Sequence, residues 1–337
     1  MLKLTEESPT ILHCHNLHGG YFDLRALPAL STTIPTILTL HDAWLLSGHC
    51  AHSFECGRWE IGCGNCPDLT IYPSVRRDST AFNWRRKARI FKESRLHVAT
   101  PSQWLMDRVG RSMLAPVLEG RVIPNGVDLT VFQPADQRSV RAGLDIPPDA
   151  RVLVFAAHGL QGNRWKDFAT LRAALGILSE RTDRRILFYG IGAEAPTEHM
   201  GHIELRFVSH HDQPSAIAAY YQAADVYVHS AKVDTFPTSV LEALACGNPV
   251  VGTAVGGIPE QVEDGRTGYL TSPGDPWSMA DAILRLLNDD QTREAMAVAA
   301  AADARARFDL KRQASAYLEW YRELGGNWTA KGPSEDR

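Results

Sequence analysis

An acidic pair beside a helix start marks the segment 228–260 as the part of the chain richest in chemistry. Asp234 stands in a D-T-F-P run, and Glu242 follows it eight residues later. An apolar strand precedes this run and a helical pattern follows it, so the amides of Thr238 and Ser239 are predicted to begin a helix. Such an end binds phosphate through its free N–H groups and the helix dipole. Glu242, one turn inside the helix, could accept hydrogen bonds from ribose hydroxyls.

Cations that offset a diphosphate are expected near this pair. The loop after the first strand of the second half reads HGLQGNRWKDF, in which Lys166 is the predicted phosphate ligand and Arg164 the nearest second cation. The alternative interpretation is structural: Asp234 caps the helix, Glu242 lies on the surface, and both cations belong to a solvated loop. Charges of both signs around a strand, a loop and a helix favour the phosphate site.

Two strand ends in the first half also carry polar side chains. His41 and Asp42 close a buried strand in the run TLHDAW. The residues that follow another strand are His15, Asn16, Gly19 and Gly20. Ligands of open α/β sheets bind at the carboxyl ends of strands, so these four positions and Asp42 are predicted to contact an acceptor. The alternative for His41 is a core histidine whose hydrogen bonds are satisfied.

Four cysteines form a C-x5-C-x6-C-x2-C pattern within an insertion at residues 48–68: Cys50, Cys56, Cys63 and Cys66. Four close cysteines that end in a C-G-N-C turn could hold one tetrahedral Zn²⁺ in a structural site, although the spacing differs from that of a standard zinc finger. Free or paired cysteines are the alternative. A reducing compartment favours thiols over disulfides. No catalytic role is expected for a metal here.

The elements that must position these residues are short apolar strands that alternate with helices. Most strands read as continuous apolar runs, which is typical of a parallel sheet covered on both faces. The predicted strands are 10–15, 36–41, 96–100 and 121–124 in the first half, and 151–157, 185–189, 203–208, 225–229 and 249–253 in the second. The predicted helices are 167–181, 214–223, 238–245 and 276–288. This repeated alternation predicts an α/β protein with two Rossmann-like domains.

Composition suggests where the domains begin and end. Residues 1–131 are assigned to the first domain and residues 151–305 to the second, with a linker over the Pro- and Asp-rich stretch 132–150. An apolar helix is predicted over 306–326, followed by a disordered tail over 327–337.

Charge and hydropathy exclude several classes of function. A formal net charge of −4 argues against nucleic-acid binding, and no apolar run reaches the length of about eighteen residues that predicts a transmembrane helix. The first ten residues lack the apolar core of a signal peptide, so a cytoplasmic location is expected. Eight basic residues fall within 76–95. They form either a solvated helix face or a surface for a phosphate-bearing acceptor or for anionic lipid head groups at the inner face of the membrane.

The segment around Asp234 and Glu242 resembles the acidic-x7-Glu signature of retaining GT-B glycosyltransferases, especially the large family 4. That family usually has Glu at both ends, and the Asp at the first position is similar to a variant in a subset of bacterial polysaccharide glycosyltransferases. The cysteine cluster is similar to one in the same subset. Further runs resemble family motifs in the same order: ATPSQWL at 99–105, VIPNGVD at 122–128, LFYGIGAE at 187–194 and DGRTGYL at 264–270.

The resemblance implies a GT-B fold, in which two Rossmann-like domains face a cleft. It implies retaining transfer of a hexose from a nucleotide-sugar donor to a saccharide or lipid-linked hydroxyl, in polysaccharide or glycolipid biosynthesis. No metal cofactor is implied, because a helix dipole and cations offset the charge. The implied catalytic residues are His41, Asp234 and Glu242, and His41 faces the donor sugar. The implied donor contacts are Lys166, Arg164, Gly190, Val208, Phe236, Pro237, Thr238 and Ser239.

The start of the chain departs from the family pattern. Members of the family normally begin with a strand and a Gly-rich loop under the donor diphosphate, and further strands precede the H-x-H-N strand. Here that strand starts near Thr10, so the first domain is expected to be incomplete. This expectation predicts reduced stability or activity, and it leaves a non-catalytic or decayed paralogue that binds nucleotide sugar as the alternative. A GT-B sugar-nucleotide epimerase is a more distant alternative.

Overall fold

The structure, a computed structural model, describes residues 9–115, 117–157, 159, 162–209 and 211–330, with side chains as far as residue 326. The chain divides into two compact units. Unit 1 runs to Pro124 and resumes at Gln313, and unit 2 is Asn125–Arg312. Both contain parallel sheets, so the predicted α/β class is confirmed.

Unit 1 contains a four-stranded parallel sheet. Its strands neighbour one another in chain order: β1 (Leu12–His15), β2 (Thr36–Thr39), β3 (Leu96–Thr100) and β4 (Glu119–Val122). The helices between and around them are α1 (Leu27–Thr33), α2 (Arg58–Ile61), α3 (Thr80–Glu93) and α4 (Gln103–Gly110). Leu38 of β2 and Val98 of β3 are fully buried in the core that these strands share with α1, α3 and α4.

Unit 2 contains a seven-stranded sheet whose strand order reverses in the middle. Its strands are β5 (Arg151–Ala156), β6 (Ile186–Ile191), β7 (Glu198–Met200), β8 (Ile203–Val208), β9 (Val226–His229), β10 (Val250–Thr253) and β11 (Gly268–Thr271). The order is β11-β10-β9-β5-β6-β8-β7, and only the β7–β8 pair is antiparallel among the pairs described. The chain first builds on one side of β5 and then, from β9, on the other. Ligands of such sheets bind at the carboxyl ends of the strands beside this reversal.

Helices cover both faces of this second sheet. They are α5 (Gln137–Gly143), α6 (Phe168–Arg181), α7 (Pro214–Ala223), α8 (Thr238–Ala245), α9 (Ile258–Gln261), α10 (Pro276–Asn288) and α11 (Asp290–Arg307). Val154 and Tyr227 are buried in the core shared with α7 and α8. Their neighbours Leu153 and Val228 are buried in the core shared with α6 and α10. Successive strand residues point to opposite faces, which explains why these strands read as continuous apolar runs.

The last helix, α12 (Leu310–Ala330), returns the chain from unit 2 to unit 1. Trp320 on this helix is fully buried in a core with Ile37 and Ala99 of the unit 1 sheet. Its indole N–H donates to Glu119 Oε2 at 3.1 Å. The helix therefore supplies part of the core of the unit that was begun at the start of the chain.

The structure differs from the predicted domain borders. The first unit ends at Pro124, and the predicted linker 132–150 lies inside unit 2, where it contains α5. Arg141 of α5 binds Asp225 at 2.8 Å, which ties this stretch to the sheet. Residues 327–330 of the predicted tail continue α12, and residues 331–337 lie outside the described residues. The short strands β7 and β11 were not predicted.

Candidate functional site

Unit 2 contains a cavity of about 570 Å³ beside the carboxyl ends of β5 and β6 and the first turn of α8. This is the edge of the sheet at which the strand order reverses, where ligands of open α/β sheets bind. The size is typical of a small-molecule site. Six residues of the predicted donor site line it: Lys166, Asp234, Pro237, Thr238, Ser239 and Glu242. The structure therefore gathers most of the predicted donor site around one cavity.

Lys166 and Asp234 form an ion pair in this cavity, with Nζ 2.5 Å from Oδ2. The backbone of Lys166 pairs with Ala231 in an isolated antiparallel bridge, which brings the loop after β5 beside the end of β9. Burial opposes ionisation of the Asp234 carboxyl, but the pKa of Asp234 is held below its usual value, chiefly by the charge of Lys166. The acidic residue and the loop cation are therefore in direct contact.

His229, at the end of β9, is a third member of this group that the sequence reasoning missed. Its ring is fully buried, with Nε2 at 3.1 Å from Lys166 Nζ and 3.3 Å from Asp234 Oδ2. Nδ1 lies 3.1 Å from the Tyr227 hydroxyl. Burial, together with the charge of Lys166, lowers the pKa of His229 to about 4, so the ring is neutral at neutral pH. Its place at the carboxyl end of a buried strand is the same signal that predicts His41 as a site residue.

The first turn of α8 lines the cavity, and hydrogen bonds from other elements hold the loop before it. The helix begins at Thr238 as predicted, and no side chain caps it. The first N–H groups of a helix lack partners within the helix, so this end suits an anion. Asn125 donates to the Phe236 carbonyl at 3.3 Å, and Gln261 donates to the Pro237 carbonyl at 2.9 Å. These two bonds fix the loop that leads into the helix.

A glycine pair after β10 supports the backbone of Asp234. The Gly257 N–H donates to the Asp234 carbonyl oxygen at 3.2 Å. Gly256 has a φ of 57°, and a Cβ at this position would lie only 1.6 Å from the same oxygen. Only glycine fits so close to another backbone in this conformation. The position of Asp234 is therefore fixed through its backbone as well as its side chain.

Glu242 lines the cavity and is not an open surface residue. Its Oε2 accepts a hydrogen bond from the hydroxyl of Tyr221, a fully buried residue of α7, at 3.1 Å. Burial raises the pKa of Glu242, and the hydrogen bond from Tyr221 opposes the increase. Tyr221 was not predicted as a site residue, because no spacing in the sequence relates it to Glu242.

Four residues that the resemblance assigned to donor contact are not among those that line the cavity. Arg164 belongs to the loop of Lys166 but is outside the lining. Gly190 lies within β6 and Val208 ends β8, while Phe236 is buried in the core of unit 2. The turn at Gly192, just beyond the end of β6, does line the cavity. The donor contacts of these four residues stay predictions.

The polar residues predicted on the acceptor side gather at the ends of β1 and β2 in unit 1. His15 Nδ1 lies 2.9 Å from His41 Nε2. The side chain of Asn16 accepts from the His41 N–H at 2.9 Å and donates to Asp42 at 3.3 Å. Burial lowers the pKa of His41 and raises that of Asp42. The four residues form one hydrogen-bonded group, and their predicted contacts with acceptor and donor stay predictions.

The loop after β1 adds a residue that was not predicted. His18 Nε2 lies 2.9 Å from the carboxylate of Asp42. Gly19 and Gly20 are exposed and have φ angles of 99° and 82°. Glycine adopts this left-handed region without steric cost. A conformational need therefore explains both glycines, and their contact with an acceptor stays a prediction.

The four clustered cysteines line one small cavity of about 20 Å³ in unit 1. All six cysteines of the chain are described, and each carries a free thiol. The Gly48 N–H donates to Cys63 Sγ at 3.3 Å, and His49 Nε2 lies 3.3 Å from Cys66 Sγ. Within the described ranges, no three His, Cys, Asp or Glu side chains form a group that could hold a metal ion. Structural zinc therefore stays a prediction.

The basic stretch 76–95 presents all but one of its cations to solvent. The exposed ones are Arg76, Arg77, Arg85, Arg86, Arg89, Lys92 and Arg95. Lys87 is fully buried, so a solvated position is wrong for this residue. Its ammonium donates a hydrogen bond to the Trp44 carbonyl at 2.6 Å and lies 3.4 Å from the centre of the Trp44 indole ring. Phe82 on the same helix is 62 % exposed. None of the described helices has the length and apolar character needed to cross a membrane.

Both halves of the chain match models of glycosyltransferase families. The model of Glycosyltransferase Family 4 matches residues 2–131, and that of Glycosyl transferases group 1 matches residues 150–289. The D-inositol 3-phosphate glycosyltransferase of Paenarthrobacter aurescens is 37% identical over 212 residues, which cover 60% of this chain and 51% of that protein. The protein of the same name from Corynebacterium diphtheriae is 37% identical over 196 residues, 53% of this chain and 45% of that protein. The chain spans about half the length of these curated relatives.

Solved structures share the fold at low sequence identity. Sucrose-phosphate synthase from Thermosynechococcus elongatus is similar with a TM-score of 0.69 and 21% identity, over 95% of this chain and 74% of that one. The Anabaena protein HepE, in complex with UDP-glucose, has a TM-score of 0.63 and 20% identity, over 93% and 79% of the two chains. The α/β units with parallel sheets thus match those of GT-B glycosyltransferases. Because the two family models together match residues 2–131 and 150–289, the chain belongs to the group 1, family 4 glycosyltransferases.

Proposed function

We propose that this chain is a glycosyltransferase that moves a hexose from a nucleotide diphosphate sugar to a hydroxyl acceptor. The observation that carries the proposal is the meeting of Lys166, Asp234, Glu242 and the uncapped start of α8 around one cavity. A cation and a helix N-terminus together suit a diphosphate. Two carboxylates accept hydrogen bonds from sugar hydroxyls. A nucleotide sugar provides partners for all of these groups, whereas a diphosphate or a sugar alone provides partners for only some of them.

Each part of the donor has a proposed partner in the cavity. The ammonium of Lys166 and the first amides of α8 hold the diphosphate, and Glu242 accepts hydrogen bonds from the ribose. Asp234 binds hydroxyls of the transferred sugar. The apolar part of the wall, which includes Pro214 and Ile217, is available to the base. The apolar wall carries no side-chain code for a particular base.

We propose transfer with retention at the anomeric carbon. The acceptor oxygen bonds to this carbon on the face from which the diphosphate departs, while the bond between carbon and phosphate oxygen breaks. The proton of the acceptor hydroxyl passes to the leaving phosphate oxygen. Lys166 and the α8 amides stabilise the negative charge that develops on the diphosphate, which is the largest contribution that a protein makes to such a step. This arrangement requires no metal ion.

The proposed acceptor is a saccharide or lipid-linked hydroxyl in polysaccharide or glycolipid biosynthesis. Its proposed ligands in unit 1 are His15, Asn16, His41 and Asp42. Inositol 3-phosphate is a further acceptor to test, because curated relatives at 37% identity are named for it. UDP-glucose is the first donor to test, because HepE, which has the same fold, was solved with it.

A membrane-facing location is part of the proposal. Phe82 is exposed on α3, and the exposed Arg85, Arg86 and Arg89 follow it at spacings of three, four and seven residues, which places them on the same side of the helix. Basic side chains near an anionic bilayer contribute about 1 kcal/mol each, and an aromatic side chain can enter the interface. We propose that this face meets the inner, cytoplasmic leaflet, where a lipid-linked acceptor is presented.

The test begins with thermal-shift measurements on the full chain with UDP-, GDP-, ADP- and dTDP-sugars. The donor that binds is then used to measure slow hydrolysis and transfer. Glu242→Ala should abolish both activities, whereas Glu294→Ala, an exposed glutamate of α11, should change neither. Binding without hydrolysis or transfer would favour the non-catalytic paralogue, and hydrolysis that survives in Glu242→Ala would refute the assigned site. The alternative of a non-catalytic paralogue is not favoured, because Lys166, Asp234 and Glu242 lie around one cavity.

A further inference from the structure

His229 contacts both Lys166 and Asp234 of the proposed donor site, and each of its ring nitrogens has a hydrogen-bond partner. Nε2 lies 3.1 Å from Lys166 Nζ and 3.3 Å from Asp234 Oδ2, and Nδ1 lies 3.1 Å from the Tyr227 hydroxyl. His229 and Tyr227 have no exposed surface. The Tyr227 hydroxyl also forms a hydrogen bond with the side chain of Ser239, in the first turn of α8. The buried ring therefore connects the acidic loop to the helix start.

The neighbours of His229 determine which nitrogen carries its proton. A lysine ammonium can only donate, so Nε2 accepts a hydrogen bond from Lys166 in the ligand-free arrangement. A neutral ring then carries its single proton on Nδ1, which donates to the Tyr227 hydroxyl. In this state Lys166 is the donor that holds both the Asp234 carboxylate and His229.

A diphosphate changes this arrangement because it competes for Lys166. When the ammonium turns to the phosphates, Asp234 loses its cation and Nε2 loses its donor. A buried polar atom that has lost its hydrogen-bond partner is destabilising, because it was removed from water without compensation. One rearrangement restores both hydrogen bonds without moving the ring. The Nδ1 proton passes to the Tyr227 hydroxyl, which releases its own proton through the Ser239 hydroxyl to the solvent of the cavity. Nε2 takes up one proton from that solvent and donates to Asp234, while the Tyr227 hydroxyl donates to Nδ1, so the ring stays neutral.

We propose that His229 is a positioning residue, which changes tautomer when Lys166 moves from Asp234 to the donor diphosphate and so keeps the Asp234 carboxylate in place for the sugar. This inference rests on the proposed function, since it needs a diphosphate in the cavity. Asp is one methylene shorter than the Glu usual at this position. A short carboxylate has less freedom to reach the sugar again once displaced, so a second holder matters here.

Nitrogen-15 NMR of histidine-labelled full-length protein tests the tautomer directly. The chemical shift of a ring nitrogen separates its protonated from its unprotonated form. The His229 signals are identified by their loss in His229→Gln. We expect Nε2 to be unprotonated in the free protein and protonated after addition of the nucleoside diphosphate that gives the largest thermal shift among UDP, GDP, ADP and dTDP. An unchanged Nε2 signal in protein that binds this ligand would overturn the proposal.

Kinetics of donor turnover provide a second, independent test. We expect His229→Phe to lower kcat about 100-fold, the scale of a displacement of about 1 Å at a reacting group, with a much smaller change in KM. His229→Gln should recover much of this loss, because its amide can present oxygen to Lys166 or N–H to Asp234. Equal losses in the two variants, or wild-type kcat in His229→Phe, would contradict the proposal. His202→Gln, at an exposed histidine of unit 2, is the matched control.

A variant that keeps the ring covers the case in which His229→Phe fails to fold. Tyr227→Phe keeps the ring and removes the hydroxyl that contacts Nδ1 and Ser239. It should trap Nε2 in the unprotonated form after the diphosphate binds, and it should lower kcat with little change in diphosphate affinity, because the amides of α8 remain. A normal tautomer change in Tyr227→Phe would overturn the proposed route. If the wild type binds no nucleotide, the proposed function fails and this inference fails with it. If the wild type turns over donor without a tautomer change, only this inference fails.

Discussion

Tyr221 and Glu242 connect α7 to α8 through one hydrogen bond, in which the tyrosine hydroxyl donates to Oε2 at 3.1 Å. Tyr221 is fully buried, and Glu242 lines the donor cavity. The bond stabilises the ionised carboxyl, whereas burial raises its pKa. Tyr221 and the burial of Glu242 together therefore set the pH below which this carboxyl is protonated and stops being a pure hydrogen-bond acceptor.

Removal of this hydrogen bond should change the pH dependence of donor binding. In Tyr221→Phe the ionised form of Glu242 loses a donor, so its pKa rises further. Nucleotide affinity should therefore begin to fall at a higher pH on acidification than in the wild type, with little difference at alkaline pH. Calorimetric titration with the selected nucleoside diphosphate across this range measures the effect. Tyr220→Phe, on the same helix, is the control, and coincident pH profiles for Tyr221→Phe and the wild type would contradict the assignment.

Loss of the loop cation should weaken diphosphate binding. Hydrogen bonds to charged groups contribute about 1.5–3 kcal/mol, so Lys166→Ala should raise the Kd for the nucleoside diphosphate by about 10- to 150-fold. The affinity for the nucleoside without phosphates should change little, because Lys166 is not its proposed partner. Lys232→Ala removes an exposed lysine from the same region and should bind normally. Equal effects of Lys166→Ala on both ligands would point to a general disturbance of the cavity instead.

The return of α12 to unit 1 should contribute strongly to stability. Trp320 is fully buried in a core with Ile37 and Ala99. Replacement of a buried aromatic residue by alanine costs about 3–5 kcal/mol, so Trp320→Ala should lower the free energy of unfolding by this amount in denaturant titrations. Leu318→Ala, at a position that is 49% exposed on the same helix, should stay within about 0.5 kcal/mol of the wild type. Similar losses in both variants would argue against specific packing.

Metal analysis decides the state of the cysteine cavity. Free thiols from four cysteines line it, and the buried ammonium of Lys87 interacts electrostatically with Cys50 and Cys63, so it would offset thiolate charge. We expect about one zinc per chain, in line with a four-ligand structural site. Cys63→Ser should lose this zinc and Cys246→Ala, at an isolated cysteine of unit 2, should keep it. Zinc far below one equivalent in the wild type would leave the four residues as free thiols.

The basic face of α3 should give salt-dependent binding to anionic vesicles. Replacement of Arg85, Arg86 and Arg89 by glutamine removes three exposed charges, and at about 1 kcal/mol each affinity should fall by about 100-fold. Co-sedimentation with vesicles that contain phosphatidylserine measures this change, and neutral vesicles should bind weakly.

A matched triple variant controls for total charge. It replaces three exposed arginines of unit 2: Arg138, Arg184 and Arg305. This protein should bind anionic vesicles like the wild type. If the two triple variants lose the same affinity, net charge and not the α3 face governs binding.

Much of the unit 2 fold could be predicted, because most of its strands are continuous apolar runs in the sequence. Helices α7, α8 and α10 occupy the predicted ranges, with proline or Asp at their starts supplying the signal. β7 was missed because three residues carry no periodicity, and α5 because proline and aspartate dominate its surroundings. The border between the units could not be read from composition, because the contacts that define it are tertiary. Arg141, for instance, binds Asp225, which is 84 residues away in sequence.

The donor site was predictable where residue type and chain position agreed. Lys166, Asp234 and Glu242 carry charges at the ends of strands or the start of a helix, and they meet as expected. Tyr221 and His229 were missed because buried aromatic residues on a helix or strand read as core. Their roles depend on which atoms face them across the fold. Arg164 is a charge in the predicted loop that does not line the cavity, and its contact with the donor stays a prediction.

Because α12 contributes to the core of unit 1, the order in which the units are synthesised differs from the order in which all residues of their cores become available. Unit 2 is one uninterrupted stretch, Asn125–Arg312, so its core needs no residue that is translated later. Unit 1 is translated first, yet the core behind its sheet is incomplete until Trp320 has been translated. Domains normally fold from the N-terminus during synthesis. Here the unit that is translated first needs a residue from the last helix, so a fragment cut after Pro124 lacks part of its core however well its own helices form.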